Sequence, residues 1–498
     1  MALVTPVDPV PLSQLGHVHF IGIGGAGMSG IARIMLARGV TVSGSDSASP
    51  PVLAELAALG AEVHVSHSPS HLDAADTVVV SSAIRPGNPE LAEARRRGLP
   101  VLHRAAALAS LMLGRRATAV AGTHGKTTTT SMLTTILRRS GADPGYVIGG
   151  VLAETGLSAG DGSGVDFIAE ADESDGSFLM LAPHAAIVTN IEADHLDNYP
   201  GLAEIQAAFE AFARRIEDGG LLVTCADDPG ARELARAARS LPLRVRSYGE
   251  SPGADYRISR VAPAGMGTRA AVTCPAASSG RAYEITITVA APGRHNALNA
   301  VAAIATAAEL GVPVQRAAAA LAAYRGARRR MEPKGEGDGV RVLDSYAHHP
   351  TELAADLAAA RDIAGGGRVI AVFQPHLVSR TRIFAGELGA ALARADEAIV
   401  LDVYAAREDP SPDVTGKLVA DAVPGGRARY VADSRRAPAV VADIATPGDI
   451  VLTMGAGDVT SLGPAIVAAL GRREEDGGLQ APQAAGATQG PRVPGAHG

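Results

Sequence analysis

Apolar and polar residues follow two periods along this chain, and the two take turns. Val18-His19-Phe20-Ile21 is a short strand-like run, and after it Met28, Ile31, Ala32, Met35 and Leu36 recur at i, i+3, i+4, i+7 and i+8. That second pattern is the stripe of an amphipathic helix. Val40-Thr41-Val42-Ser43 predicts the next strand, running on to Gly44-Ser45-Asp46, and the rhythm continues through Val63-His64-Val65, 77–82 and 99–102 to a helix ending near Leu113. Ala117-Thr118-Ala119-Val120 is again strand-like, and Met132, Leu133, Ile136 and Leu137 are again helical. Strands are predicted at 165–169, 185–190 and 219–225, with a helix over 202–216. Residues 255–290 alternate strictly in places, as in Ile285-Thr286-Ile287-Thr288-Val289, which predicts antiparallel strands. An Ala-rich helix then opens at Pro292-Gly293-Arg294. The last third returns to strands at 340–343, 369–373, 398–401 and 450–453, with helices between.

Strands alternating with helices predict an α/β chain with parallel sheets. The expected organisation is a Rossmann-like N-terminal domain over 1–114, a P-loop ATPase-like central domain over 115–327 and a Rossmann-like C-terminal domain over 328–474. Gly114-Arg115-Arg116 is the first linker, and the turn-rich stretch 334–339 marks a break just after the second. Residues 475–498, rich in Gly, Ala, Gln and Pro, are expected to be a disordered tail.

Charge narrows the functions. Lys and Arg number 45 against 52 Asp and Glu, a net charge of −7, which argues against a nucleic-acid protein. The basic runs 95–97 and 328–330 are short and suit solvated helix ends. Cys225 and Cys274 lie far apart, as expected in a reducing compartment. The first eleven residues lack a basic region and an apolar core, and no apolar run suffices to cross a bilayer. The expected location is the cytoplasm.

The candidate chemistry sits where strands end. Ala121-Gly122-Thr123-His124-Gly125-Lys126-Thr127-Thr128 lies between a strand and a helix. Its glycines let the backbone aim N–H groups at a phosphate, Lys126 can reach the outer phosphates, and the Thr127 hydroxyl can ligate Mg²⁺. The glycines are two residues apart rather than the usual four, and a plain glycine turn with a surface lysine is the competing reading. Gly22-Ile23-Gly24-Gly25-Ala26-Gly27 matches GxGxxG, with Asp46 at the place where an acid binds a ribose hydroxyl; a tight turn that binds nothing is the alternative. Glu170-Ala171-Asp172-Glu173-Ser174-Asp175 places acids at a strand end, as a metal ligand requires. His195, after the next strand, is either a third ligand, an orienting group or a surface residue. Asn296 and Asn299 share a helix face able to read a purine edge, unless Asn296 only caps the helix. Asp344, Tyr346, His348, His376, Arg380 and Asp458 follow strands of the last third.

Taken together, GIGGAGMSGIA, GTHGKTTT, EADESDGSF, TNIEADHLD, GRHNALNA, YAHHPTE, FQPH and GAGD resemble the motifs of the Mur ligases over residues 16–470. The resemblance implies a UDP-binding first domain, an ATPase middle domain and a last domain that closes over the site. The GIGGAGMSGIA form is similar to that of members joining L-alanine to the lactyl carboxylate of UDP-N-acetylmuramate, at the expense of ATP and by way of an acyl phosphate, in peptidoglycan precursor synthesis. By the same resemblance, Thr127, Glu170 and His195 bind Mg²⁺, and Lys126, Glu170, His195 and Arg330 are catalytic. ATP is held by Gly122, Thr123, His124, Gly125, Lys126, Thr127, Thr128, Asn296, Asn299, Arg330 and Asp344. The UDP-sugar is held by Gly22, Gly24, Gly25, Gly27, Asp46 and Ser81, and the amino acid by Tyr346, His348 and Arg380. No nucleic acid and no membrane insertion are implied, and a monomer or weak homodimer is expected. Three positions depart from the family pattern. Ser345 stands where a second Asp is usual, so Asp344 or another group must orient the nucleotide ribose. Leu377 replaces an Arg after the FQPH histidine, and Met331 replaces an aromatic. Competing readings are a ligase for a preformed peptide, a nicotinamide-dependent oxidoreductase and a non-catalytic nucleotide-binding scaffold.

Overall fold

The computed structural model describes residues 4–478 except Asp197, 276–280 and Arg407, with side chains described as far as Arg472. Three sheets follow one another along the chain. The first contains β1 (Val18–Ile21), β2 (Val42–Asp46), β3 (Glu62–Val65), β4 (Thr77–Val80) and β5 (Val101–His103), all parallel, in the order β3-β2-β1-β4-β5. All four residues of β1 are buried, which explains why it is apolar apart from His19. Strand order reverses at β1, and the glycine loop leaves its C-terminal end, the usual place for a ligand in such sheets.

The second sheet is ten-stranded. Its parallel part has β6 (Arg116–Ala121) at the centre, between β9 (Asp166–Glu170) and β10 (Ala185–Val188). On one side follow β7 (Gly145–Val147) and antiparallel β8 (Ala159–Gly160); on the other, β11 (Leu221–Cys225) and β12 (Arg244–Gly249). The expected antiparallel region is present as β13 (Tyr256–Ala264), β14 (Gly267–Cys274) and β15 (Tyr283–Val289). Because β9, β6 and β10 are parallel neighbours, the acids after β9, the loop after β6 and His195 after β10 gather on one edge. Helix Arg294–Glu309 packs beside helix Lys126–Arg139 and brings its asparagines to that edge.

The third sheet runs β16 (Glu332–Gly337), β17 (Val340–Ser345), β21 (Ile450–Met454), β18 (Val369–Phe373), β19 (Glu397–Leu401), β20 (Ala428–Val431) in space, with β16 alone antiparallel. Residues 334–339, expected as a turn-rich break, instead form most of β16 and its hairpin. This is an edge strand with a register shift between Pro333 and Gly335, so its half-exposed Lys, Glu and Gly residues hide the strand period. The helix expected over 202–216 stops at Ala213. The last helix runs from Leu462 to Gly478, so the expected tail at 475–498 is helical at its start and otherwise lies outside the described residues.

One apolar cluster runs from Phe20 and Met28 through to Phe167 and Phe212, joining the first sheet to one face of the second. The two clusters of the third sheet draw on no residue before Met331. The junction of the second and third sheets is therefore polar, of the kind that lets domains move.

Candidate functional site

The loop after β6 is shaped by its glycines. Gly122 has φ +128°, and a Cβ there would lie 2.1 Å from Thr189 Oγ1 and 2.9 Å from the Thr189 backbone nitrogen. Gly125 has φ +83°, and a Cβ there would meet Asn299 Oδ1 at 2.6 Å. The end of β10 clasps the loop: His124 N donates to Asn190 Oδ1 at 2.8 Å, and Thr189 Oγ1 donates to the His124 carbonyl at 2.6 Å.

Lys126 opens the helix and folds back over the loop. Its Nζ donates to the Gly122 and Thr123 carbonyls at 2.7 and 3.1 Å and to Glu173 Oε1 at 2.9 Å. Burial opposes its charge, but Glu173, Asp172 and Glu170 outweigh burial and raise its pKa, so it stays cationic. Thr127 Oγ1 donates to Glu170 Oε1 at 3.1 Å and receives Arg330 Nη2 at 3.3 Å. Glu170 Oε2 accepts Gly149 N at 2.7 Å. His195, at φ +52°, stands apart from that pair: its Nε2 is 3.7 Å from Glu173 Oε1 and 3.6 Å from Asp194 Oδ2. Burial lowers its pKa, yet these two acids carry it above the ordinary value. Glu173 is 2% exposed, and its Oε2 has no hydrogen-bond partner among the described residues.

The third sheet reaches this edge through polar side chains. Arg380 Nη2 donates to Asp194 Oδ1 at 2.9 Å, and Thr351 Oγ1 donates to Glu192 Oε2 at 2.8 Å. His124 lies 3.4 Å from Glu352 and 3.7 Å from Glu192. Burial opposes its protonation, but the two acids raise its pKa to about 9. Tyr346 lies under both Arg329 and Arg330, whose guanidinium carbons are 4.8 and 5.2 Å from the ring centroid. His348 Nδ1 is 2.9 Å from the Tyr346 carbonyl; a carbonyl only accepts, so Nδ1 carries the proton and Nε2 is left as the acceptor. Burial lowers the His348 pKa to about 3, keeping the ring neutral. Between the sheets lies a cavity of about 340 Å³, lined among others by His124, Gly125, Thr128, Asn296, Asn299 and Arg330.

Comparisons with known proteins cover most of the chain. Profiles described as the Mur ligase family catalytic domain, the Mur ligase middle domain and the Mur ligase glutamate ligase domain match residues 17–116, 120–307 and 329–457. A UDP-N-acetylmuramate–L-alanine ligase from Thermobifida fusca is 55% identical across 95% of this chain and 100% of its own length. The chain belongs to the Mur ligase family. Another relative of the same name, from Kineococcus radiotolerans, is also 55% identical, across 93% of this chain and 98% of its own. Among solved Mur ligases, UDP-N-acetylmuramate–alanine ligase from Thermotoga maritima superposes with a TM-score of 0.76 at 28% identity, covering 92% of this chain and 99% of that one. The murein peptide ligase from Psychrobacter arcticus gives 0.68 at 27%, with the same coverage.

Several residues expected from the Mur ligase motifs are engaged by the protein itself. Asp344 is 0% exposed and accepts Thr453 Oγ1 at 2.6 Å and Thr460 Oγ1 at 2.7 Å. Side chains alternate across a strand, so on β17 Asp344 shares a face with Val342 while Ser345 points the other way, toward the cavity side. Asp344 therefore does not face a nucleotide there. Asp46 uses its carboxylate on its own loop, accepting Gly24 N at 2.9 Å and Ala48 N at 3.2 Å; it braces Gly22, Gly24, Gly25 and Gly27. Ser81 directly follows β4, half-buried. Asn296 is not a cap: Gly293 is, and Asn296 Nδ2 donates to the Pro292 carbonyl while its Oδ1 accepts Asn299 Nδ2 at 3.3 Å. The expected Mg²⁺ set divides into the Thr127–Glu170 pair and a separate His195. Among the described residues, the histidines and acids whose ligand atoms converge within 4.8 Å are His124, Glu192 and His349. Leu377 is buried at φ +67° before helix Val378–Leu392, and Met331 is buried in the third core. Thr189, Asn190, Glu173, Glu192, Asp194 and Glu352 lie within the motifs EADESDGSF, TNIEADHLD and YAHHPTE but were given no role of their own. The signal that could have found them was that membership together with their place within a few residues of a strand or helix end.

Proposed function

We propose that this Mur ligase joins L-alanine to the lactyl carboxylate of UDP-N-acetylmuramate, converting ATP to ADP and phosphate through an acyl phosphate. The observation that carries the reaction type is the loop on which Lys126 and Thr127 stand, with Arg330 of the third domain reaching Thr127. The choice of L-alanine rests on full-length likeness to ligases of that name at 51–55% identity.

In this reading Lys126 leaves the Gly122 and Thr123 carbonyls and Glu173 for the outer phosphates. The N-terminus of its helix adds N–H donors and the positive end of a dipole. Arg330 supplies a second cation from the other domain, so charge developing on the transferred phosphoryl oxygens meets positive groups from two sides. Hard oxygen donors suit Mg²⁺, and the buried, unpartnered Glu173 Oε2 shows that this edge has oxygen capacity to spare. Thr127 and Glu170 would hold that ion, which when bound neutralises phosphate charge; His195 would reach it only by leaving Glu173 and Asp194. Arg380 would take the amino acid's carboxylate in exchange for Asp194. Neutral His348 adds no charge against the incoming amine and offers Nε2 as a proton acceptor.

The test is ADP release with ATP, Mg²⁺ and UDP-N-acetylmuramate, with L-alanine added or withheld. ADP together with alanyl product only in the complete mixture supports the reading. Turnover with a tripeptide and not with L-alanine would replace it with the peptide-ligase reading.

A further inference from the structure

Five acids line the cavity between the second and third sheets, and the carboxylate of one of them meets neither backbone nor the phosphate loop. Asp227 accepts Glu250 N, Ser251 N and Ser251 Oγ, and Asp228 Oδ1 accepts Ile191 N and Ala231 N. Glu352 accepts His348 N and, in the helix capping box, His349 N, and Glu192 accepts Thr351 Oγ1 and lies 3.7 Å from His124. Asp356 differs. It accepts the hydroxyl of Ser345, and its other oxygen faces His295 Nε2 at 3.4 Å. Ser345 is fixed in that orientation because its Oγ also accepts Ala347 N at 3.0 Å.

Its place along the helix Pro350–Ala364 defines what Asp356 meets. Glu352 touches His124 of the phosphate loop, and Asp356 is four residues on, on the same helix face. Four residues carry it about 6 Å along the helix from the residue that meets the phosphate loop. In a nucleotide whose phosphates lie on that loop, the group at that remove is the sugar. A carboxylate is an acceptor only, and vicinal hydroxyls are two donors spaced for it. We propose that Asp356, oriented by Ser345, accepts the ribose hydroxyls of the bound nucleoside triphosphate and makes this chain selective for a ribonucleotide. The pairing answers the Ser345 departure: the short hydroxyl on β17 leaves room for an acid delivered from the helix, while Asp344 on the opposite strand face cannot serve.

The proposal rests on the nucleotide reading of the cavity, and the experiment separates the two. Binding of ATP, 2′-deoxy-ATP, 3′-deoxy-ATP and purine riboside triphosphate is titrated on the wild-type chain and on Asp356→Ala and Ser345→Asp/Asp356→Ser. UDP-N-acetylmuramate binding reports an intact first domain, and a wild-type-like thermal melt of each variant reports that the rest of the chain is folded. For the wild type, loss of a ribose hydroxyl should weaken binding about ten- to a hundredfold, the range of a hydrogen bond to a charged group. Asp356→Ala should bind ATP as weakly as the wild type binds the deoxy forms and cease to distinguish them, and the exchanged pair should recover much of the discrimination. The proposal is overturned if Asp356→Ala still distinguishes ATP from its deoxy forms as the wild type does. It is equally overturned if the wild type ignores the sugar, or if the loss follows the base amino group. Absence of any ATP binding by the folded wild type would instead sink the nucleotide reading itself.

Discussion

Gly122→Ala should unseat the phosphate loop. At φ +128° an alanine is strained by about 1–3 kcal/mol. Its Cβ would also fall 2.1 Å from Thr189 Oγ1, 2.9 Å from Thr189 N and 3.1 Å from Asn190 N. Thr189 is 3% exposed, and two of these neighbours are backbone, so the loop rather than β10 must move. Overpacking of this kind adds about 1–3 kcal/mol, for a total of about 2–6 kcal/mol. Gly125→Ala is the control. Its φ of +83° is also unfavourable, but the neighbour is the far end of the Asn299 side chain, which can turn away at the loss of its bond to Asn296. About 2 kcal/mol is expected there. ATP titration and thermal melting, with UDP-N-acetylmuramate binding as the reference for an intact first domain, give the comparison. Gly122→Ala should lose ATP binding far more than Gly125→Ala does. Equal losses, or the reverse order, would refute the argument that β10 backbone dictates the glycine.

Asp344→Ala should lower thermal stability by about 2–4 kcal/mol while leaving the ATP KM of the surviving folded protein nearly unchanged, because its carboxylate answers Thr453 and Thr460 and not the cavity. Docking of the third domain should weaken with rising pH. The His124 pKa is raised to about 9 in the docked state by Glu192 of its own domain and Glu352 of the third; only the Glu352 share is lost on undocking, so the stabilisation of docking falls as the pH rises toward about 9 and is gone above it. Scattering across that window should show opening, and His124→Gln should flatten the change. Arg380→Met should raise the L-alanine KM at least tenfold and leave buried Asp194 with His195 as its remaining charged partner, and Asp194→Asn added to it should recover stability but not KM.

How much of this was legible in the sequence follows from burial. β10 and β18 are covered on both faces and read as unbroken apolar runs, and β1 and β6 are nearly so, broken by His19 in one and by Arg116 and Thr118 in the other. β12 and β20 carry arginines on half-exposed positions, and β16 is an edge, so the pattern of each resembles a loop. Lys126, Thr127 and Glu170 could be found because parallel neighbouring strands deliver their C-terminal ends to one edge. Asp46 and Asp344 were placed by their motifs, but their partners, the Gly24 and Ala48 amides and the Thr453 and Thr460 hydroxyls, were not, since a motif gives a residue's place along a strand but not what competes for its carboxylate. Glu173, Glu352 and Asp356 acquire their roles only from contacts between distant segments, which no local pattern records.

The central claim is that the lactyl carboxylate takes the phosphoryl group before the amine attacks. UDP-N-acetylmuramate labelled with ¹⁸O in that carboxylate, turned over with ATP and L-alanine, tests it directly. One labelled oxygen should appear in the released phosphate for each amide formed. Phosphate released without label, while alanyl product accumulates, would contradict the account.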